Sequence, residues 1–87
     1  MRLKDRKAVI TGAAAGIGRE TARRFAAEGA LVVLSDIDGE AAQAAAREIA
    51  RENANATAIA ISADVTDQGQ VDMMIARAID ALGGLDI

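Results

Sequence analysis

A doubly wound α/β domain built on a parallel sheet is what this sequence predicts, on three observations. Apolar, β-branched runs alternate with segments of helical period. The first run passes into a glycine-rich turn, Lys7 to Gly18 (KAVITGAAAGIG), and an acid, Asp36, closes the second run about 20 residues further on. The order of elements is βαβαβα followed by the start of a fourth strand. Right-handed crossovers then give strand order 3-2-1, with the fourth strand due on the open side of the first. No repeat or low-complexity linker intervenes, so residues 1–87 read as one cooperative half-domain.

Ala8, Val9 and Ile10 form an unbroken apolar run suited to a strand covered on both faces, and Thr11 and Gly12 end it. Gly12 allows a tight turn, Gly16 lets backbone approach another group, and Gly18 stands where the following helix packs on the strand. A helix from Ile17 onward leaves its first amides without internal partners at the positive end of the dipole, a place for a pyrophosphate. The spacing is G-x-x-x-G-x-G, not the general dinucleotide fingerprint G-x-G-x-x-G, and an isolated triplet reads equally well as a plain loop. The strand before it, the helix after it and Asp36 supply the required context.

Ile17, Thr21 and Phe25, with Ala22 and Ala26, share one face of the first helix, and Gly29 stops it. Ala30 to Leu34 is the second buried strand, closed by Ser35 and Asp36. Asp38 caps a helix from Glu40 to about Arg51, whose face of Ala42, Ala45, Ala46 and Ile49 is thin enough to lie close to a sheet. Asn53 and Asn55 mark the exit loop. Thr57 to Ala63 is a third, weaker strand, expected at the sheet edge. Thr66 and Asp67 open the last helix, with Asp67 and Gln70 spaced as a capping box. Val71, Met74, Ile75, Ala78, Ile79 and Leu82 give it the clearest helical period in the chain. Gly83 and Gly84 stop it, and Leu85, Asp86 and Ile87 open the fourth strand.

Composition narrows the chemistry. Apolar residues make up 52% of the chain, ample for a core, but much of that is Ala and only one residue is aromatic, so burial per residue is modest. A globule of 87 residues buries roughly 60 to 70% of the surface its unfolded chain exposes, which makes its stability marginal without a partner. The net charge is −3 and the charged residues are scattered along helix faces, so nothing here suggests a nucleic-acid footprint. No run reaches the length of a membrane helix, and Gly12 cuts the apolar stretch that a secretory signal needs, so a cytoplasmic location is expected. The 87 residues hold no Cys, His or Tyr, which removes thiol, imidazole and phenolic chemistry and the usual zinc sites. Ser35 and Ser62 are the only serines, with no histidine to activate either.

Thr11, Gly12, Gly16, Ile17 and Gly18 resemble the T-G-x-x-x-G-x-G motif of the short-chain dehydrogenase/reductase family, a Rossmann-like fold. Asp64 to Asp67 (DVTD) is similar to that family's adenine-contacting step, and GGLDI to the approach to its fourth strand; the resemblance covers the whole chain. It implies that Gly12, Gly16, Ile17 and Gly18 line the pyrophosphate, Asp36 the adenosine ribose, and Asp64 and Val65 the adenine. The plainer alternatives are a loop carboxylate for Asp36 and a helix-starting acid for Asp64. Ala13, Ala14, Ala15, Arg19 and Thr66 are assigned to turn geometry and capping. A carboxylate at Asp36 accepts both ribose hydroxyls and repels a 2′-phosphate, while Ala15 and Ile37 stand where members preferring the phosphorylated cofactor carry a basic residue. NAD is therefore expected over NADP.

The same resemblance places the family's Asn-Asn-Ala-Gly turn, catalytic Ser and Tyr-x-x-x-Lys pair beyond Ile87, so no catalytic residue is assigned here and no metal site. The chain is then the N-terminal cofactor-binding portion of an oxidoreductase moving hydride between NAD(H) and an alcohol or carbonyl substrate, truncated before its catalytic half. For a full-length enzyme the family implies a homo-oligomer. A stand-alone adenine-nucleotide binder without catalysis is the second reading. A Rossmann-like methyltransferase is the third, and TGAAAGIG departs from its usual G-x-G-x-G loop.

Overall fold

The computed structural model describes residues 2–53 and 56–87. In chain order these form β1 (Lys7–Thr11), α1 (Gly16–Ala27), β2 (Leu31–Asp36), α2 (Gly39–Glu52), β3 (Thr57–Ser62) and α3 (Gln68–Leu82). β2 lies in the middle, parallel to both neighbours, in the order β1-β2-β3, which is the expected 3-2-1 read from the other side. β3, a weaker apolar run than β2, is an edge strand as expected. Residues 85–87 lie on the outer side of β1, where the expected fourth strand belongs. There the Val9 amide donates to the Ile87 carbonyl at 2.9 Å and the Ile87 amide to the Lys7 carbonyl at 3.0 Å.

Period-two alternation sends each strand's residues to opposite faces, and the two faces are filled differently. Ala8, Val32 and Leu34, with the half-buried Ile10, Ala58 and Ala60, face α1 and α2 through Ala22, Ala26, Ala45, Ala46 and Ile49. Alanine on both sides of that contact lets α2 sit close to β3. On the other face Val33 and Ile61, with half-buried Val9, Leu31 and Ile59, pack on Met74, Ala78 and Leu82 of α3.

Two expected core positions fall outside this packing. Ile17 is 87% exposed, because the first turn of α1 lies past the ends of the strands and has no sheet beneath it. Ile79 is 43% exposed on the flank of α3, and only Met74, Ala78 and Leu82 of its stripe are fully covered.

The helix starts follow the sequence, with one difference. Asp38 accepts from the Ala41 amide at 3.1 Å and Asp67 from the Gln70 amide at 3.2 Å. The capping box does not close on the Asp67 amide, because that amide already donates to the Asp64 carbonyl at 3.0 Å. The Gln70 side chain instead accepts from the Asp64 amide at 2.9 Å. Asn53 is the C-cap of α2, and Asn55 lies outside the described residues.

Candidate functional site

Parallel strands present their carboxyl ends together, and here that rim gathers the β1 turn, the end of β2 and the loop after β3. Gly12 has φ +63° and Gly16 φ +60°, left-handed values that a side chain strains to adopt. A Cβ built on either would meet open space, so the upper side of the turn is free backbone. Gly18 behaves oppositely. A Cβ there would collide with the Gly12 carbonyl oxygen and lie 2.8 Å from its carbon, so glycine at this place lets α1 close onto the turn.

α1 is the one helix among the described residues whose start lacks a side-chain cap. Ala15 occupies the N-cap and its first turn holds no acid, whereas Asp38 and Asp67 cap α2 and α3. Its leading amides and the positive end of its dipole are thus left to an anion from outside. Open glycine backbone beneath an uncapped helix start fits the pyrophosphate of a dinucleotide.

Asp36 is held in place by two amides. Its Oδ2 accepts from the Ala14 amide at 3.1 Å, and its Oδ1 from the Asp38 amide at 3.0 Å. Asp64 is held in a similar way, with Oδ1 accepting from the Thr66 amide at 2.9 Å and from the Thr66 hydroxyl at 2.7 Å. The Thr66 hydroxyl, then its amide, holds the Asp64 carboxyl below its ordinary value, outweighing the small opposing effect of desolvation. Each acid accepts from the amide two residues on, an Asx turn, and in each the middle β-branched residue turns outward. Ile37 is 68% and Val65 58% exposed. Between them a cavity of about 170 Å³ is lined by Gly12, Asp36, Ile37, Ala63, Asp64 and Val65.

The rim thus brings together Gly12, Asp36, Asp64 and Val65 around one cavity. Gly16, Ile17 and Gly18 stand at the start of α1, outside the cavity lining, with the Ile17 side chain in solvent. Sequence reasoning missed the amides of Ala14 and Asp38 that orient Asp36, and Ala63 in the floor. The repeated pattern of an acid, a β-branched residue and a third residue, in DID and DVT, was the available signal. A wider hollow of about 580 Å³ lies between Arg2, Leu3 and the later turns of α1. It is lined by neither the glycine turn nor the strand ends, and its Arg23 and Arg24 are paired with Glu20, so the rim is the better site.

A family model described as short chain dehydrogenase matches residues 6–87. The chain belongs to the short chain dehydrogenase family. This is a family of oxidoreductases that bind a nicotinamide cofactor, NAD or NADP. A sorbitol dehydrogenase of Cereibacter sphaeroides is 46% identical over 87 residues, covering 100% of this chain and 32% of the relative. A galactitol 2-dehydrogenase of Agrobacterium fabrum is 44% identical over 92 residues, covering 100% of this chain and 32% of the relative. Among solved structures, a hydroxysteroid dehydrogenase from Escherichia coli is 41% identical with a TM-score of 0.91, covering 98% of this chain and 35% of that one. A short chain dehydrogenase from Mycobacterium smegmatis is 35% identical with a TM-score of 0.93, again covering 98% and 35%. This short chain dehydrogenase sequence therefore spans about a third of the length of the proteins it matches.

Proposed function

We propose that these 87 residues are the cofactor-binding portion of an oxidoreductase that moves hydride between NAD(H) and an alcohol or carbonyl substrate. The observation that carries this is Asp36, fixed by the Ala14 and Asp38 amides beside an open glycine turn and an uncapped helix. Two amides hold the carboxylate in one orientation, and its remaining lone pairs accept the two hydroxyls of the adenosine ribose. Gly12, Gly16, Ile17 and Gly18 offer backbone to the pyrophosphate. Asp64 and Val65 border the adenine, and exposed Ile37 covers its other side.

The same carboxylate opposes a ribose 2′-phosphate, and neither Ala15 nor Ile37 carries a cation to relieve it, which supports NAD over NADP. Bound NAD(H) supplies the hydride acceptor or donor. The acid or base and the substrate pocket belong to a catalytic half outside the 87 residues, since no Tyr-x-x-x-Lys segment occurs within them. The names of the relatives point toward carbinol substrates, sugar alcohols among them.

Calorimetric titration of the chain with NAD and NADP tests the cofactor assignment. Saturable binding that favours NAD is the expected result, and equal or inverted preference sinks it. Titration with S-adenosylmethionine as the comparison ligand should give no heat.

A further inference from the structure

β3 is the sheet edge that the described residues leave open. The outer side of β1 is occupied, because the Lys7 carbonyl accepts from the Asp86 and Ile87 amides and the Val9 amide donates to Ile87. Next to β3, the Ala63 amide donates to the Asp36 carbonyl, so the odd-numbered residues of the strand turn their backbone groups toward β2. Ala58, Ala60 and Ser62 then turn theirs outward. The strand, TAIAIS, has no charge and no proline, and its register with β2 runs unbroken, so it lacks the devices that stop an edge from accepting another strand. Six residues at about 3.3 Å each offer roughly 20 Å of pairing.

A groove borders this edge on each face. Between α2 and β3 a cavity of about 220 Å³ is lined by Arg47 and Ala50 over Ala58 and Ala60. Between α3 and β3 one of about 200 Å³ is lined by Met73 and Arg77 over Ile61. Among the described residues neither Arg47 nor Arg77 has a carboxylate within 4.0 Å, whereas Glu48 and Glu52 of α2 are turned toward Arg19 and Arg23 of α1. An open edge is thus flanked, above and below, by one uncommitted guanidinium each.

We propose that β3 docks an extended acidic segment of a partner protein, which adds to the sheet as a further strand. Consecutive side chains of a strand point to opposite faces, so two adjacent carboxylates reach Arg47 on one side and Arg77 on the other. The β3 strand of a second copy carries no carboxylate of its own to offer either arginine.

The test titrates the full chain with a labelled acetyl-Thr-Val-Glu-Glu-Val-Thr-amide peptide and with its Lys-Lys counterpart, followed by fluorescence anisotropy. The acidic peptide should bind about tenfold more tightly than the basic one, a ratio typical of two partly exposed charge pairs. The double variant Arg47→Glu, Arg77→Glu should reverse that order, and hydrogen exchange should show the Ala58, Ala60 and Ser62 amides newly protected by the peptide. Ala60→Pro removes an outward amide at a position where an edge strand tolerates proline, and should abolish binding with the helical circular dichroism unchanged. The proposal is overturned by no binding at millimolar peptide, by a charge preference that survives the double reversal, or by binding without new amide protection. It is equally overturned if those three amides are already protected without peptide, because the edge is then covered by the protein's own chain or by a second copy.

Discussion

The Ala14 amide donates to the Asp36 carboxylate across 3.1 Å, tying the turn after β1 to the end of β2. Two parts of the candidate site that are 22 residues apart in the chain are thereby set by one hydrogen bond. The bond also uses a lone pair of Asp36 on the protein itself, so the carboxylate is held in one orientation before any ligand arrives.

Asp36→Ala removes both the proposed acceptor for the ribose hydroxyls and this tie. A hydrogen bond to a charged group contributes about 1.5–3 kcal/mol, so NAD affinity should fall by roughly ten- to a hundredfold. NADP affinity should fall less or rise, because repulsion of the 2′-phosphate is lost as well. Calorimetry with both cofactors reads the two effects separately, and an unchanged NAD to NADP ratio would contradict the assigned role.

Gly18→Ala tests the closure of α1 onto the turn. The added methyl group collides with the Gly12 carbonyl, and since backbone stands there, the helix has to move. Overpacking of this kind costs about 1–3 kcal/mol. Urea denaturation should show a lower midpoint with an unchanged slope, together with weaker NAD binding. Gly12→Ala meets no atom within 4 Å, but places a side chain at φ +63°, a strain of about 1–2 kcal/mol. The two variants reach similar losses by different routes, and a crystal structure would show a shifted helix only for the first.

Much of this architecture was legible in the sequence, and what escaped has physical causes. The three strands, their order and the caps Asp38 and Asp67 follow from apolar runs, chain reversal and side-chain chemistry, all properties of single residues or short windows. Ile17 shows the limit of periodicity: it keeps the spacing of the core face of α1, yet lies beyond the sheet end, where there is nothing to cover it. Gln70 shows the limit of motifs, since its box partner was already bonded to Asp64. The Ala14 to Asp36 bond is donated by a backbone amide, which every residue but proline possesses, so no residue type announces it.

Ser35 is fully buried in β2, and among the described residues its hydroxyl has no hydrogen-bond partner. An unpaired buried hydroxyl forfeits its hydration without return, at about 1–3 kcal/mol. Ser35→Ala should therefore hold or raise stability, by up to about 1–3 kcal/mol. A higher urea midpoint checks it, and clear destabilisation would mean that the hydroxyl has a partner in solution.

Thr66 is placed to control Asp64, and the sign of the effect can be worked out. Its hydroxyl and amide both donate to Asp64 Oδ1 and hold that carboxyl below the ordinary aspartate range. A depressed value in the folded state means that the unfolded chain takes up the proton first. The contribution to stability is therefore present above the unfolded value and is lost as pH falls through the folded one. Thr66→Val removes the hydroxyl, the larger of the two causes, and leaves the amide. Carbon-detected NMR titration of the Asp64 carboxyl should show its midpoint moving upward, part of the way back to the ordinary range. The acid limb of the stability profile should flatten between the two midpoints. At neutral pH the Asp64 carboxylate stays ionised in both proteins, so any loss of NAD affinity there reports a freed Asp64 side chain and not a changed charge. An Asp64 midpoint that does not move would assign the depression to something other than Thr66.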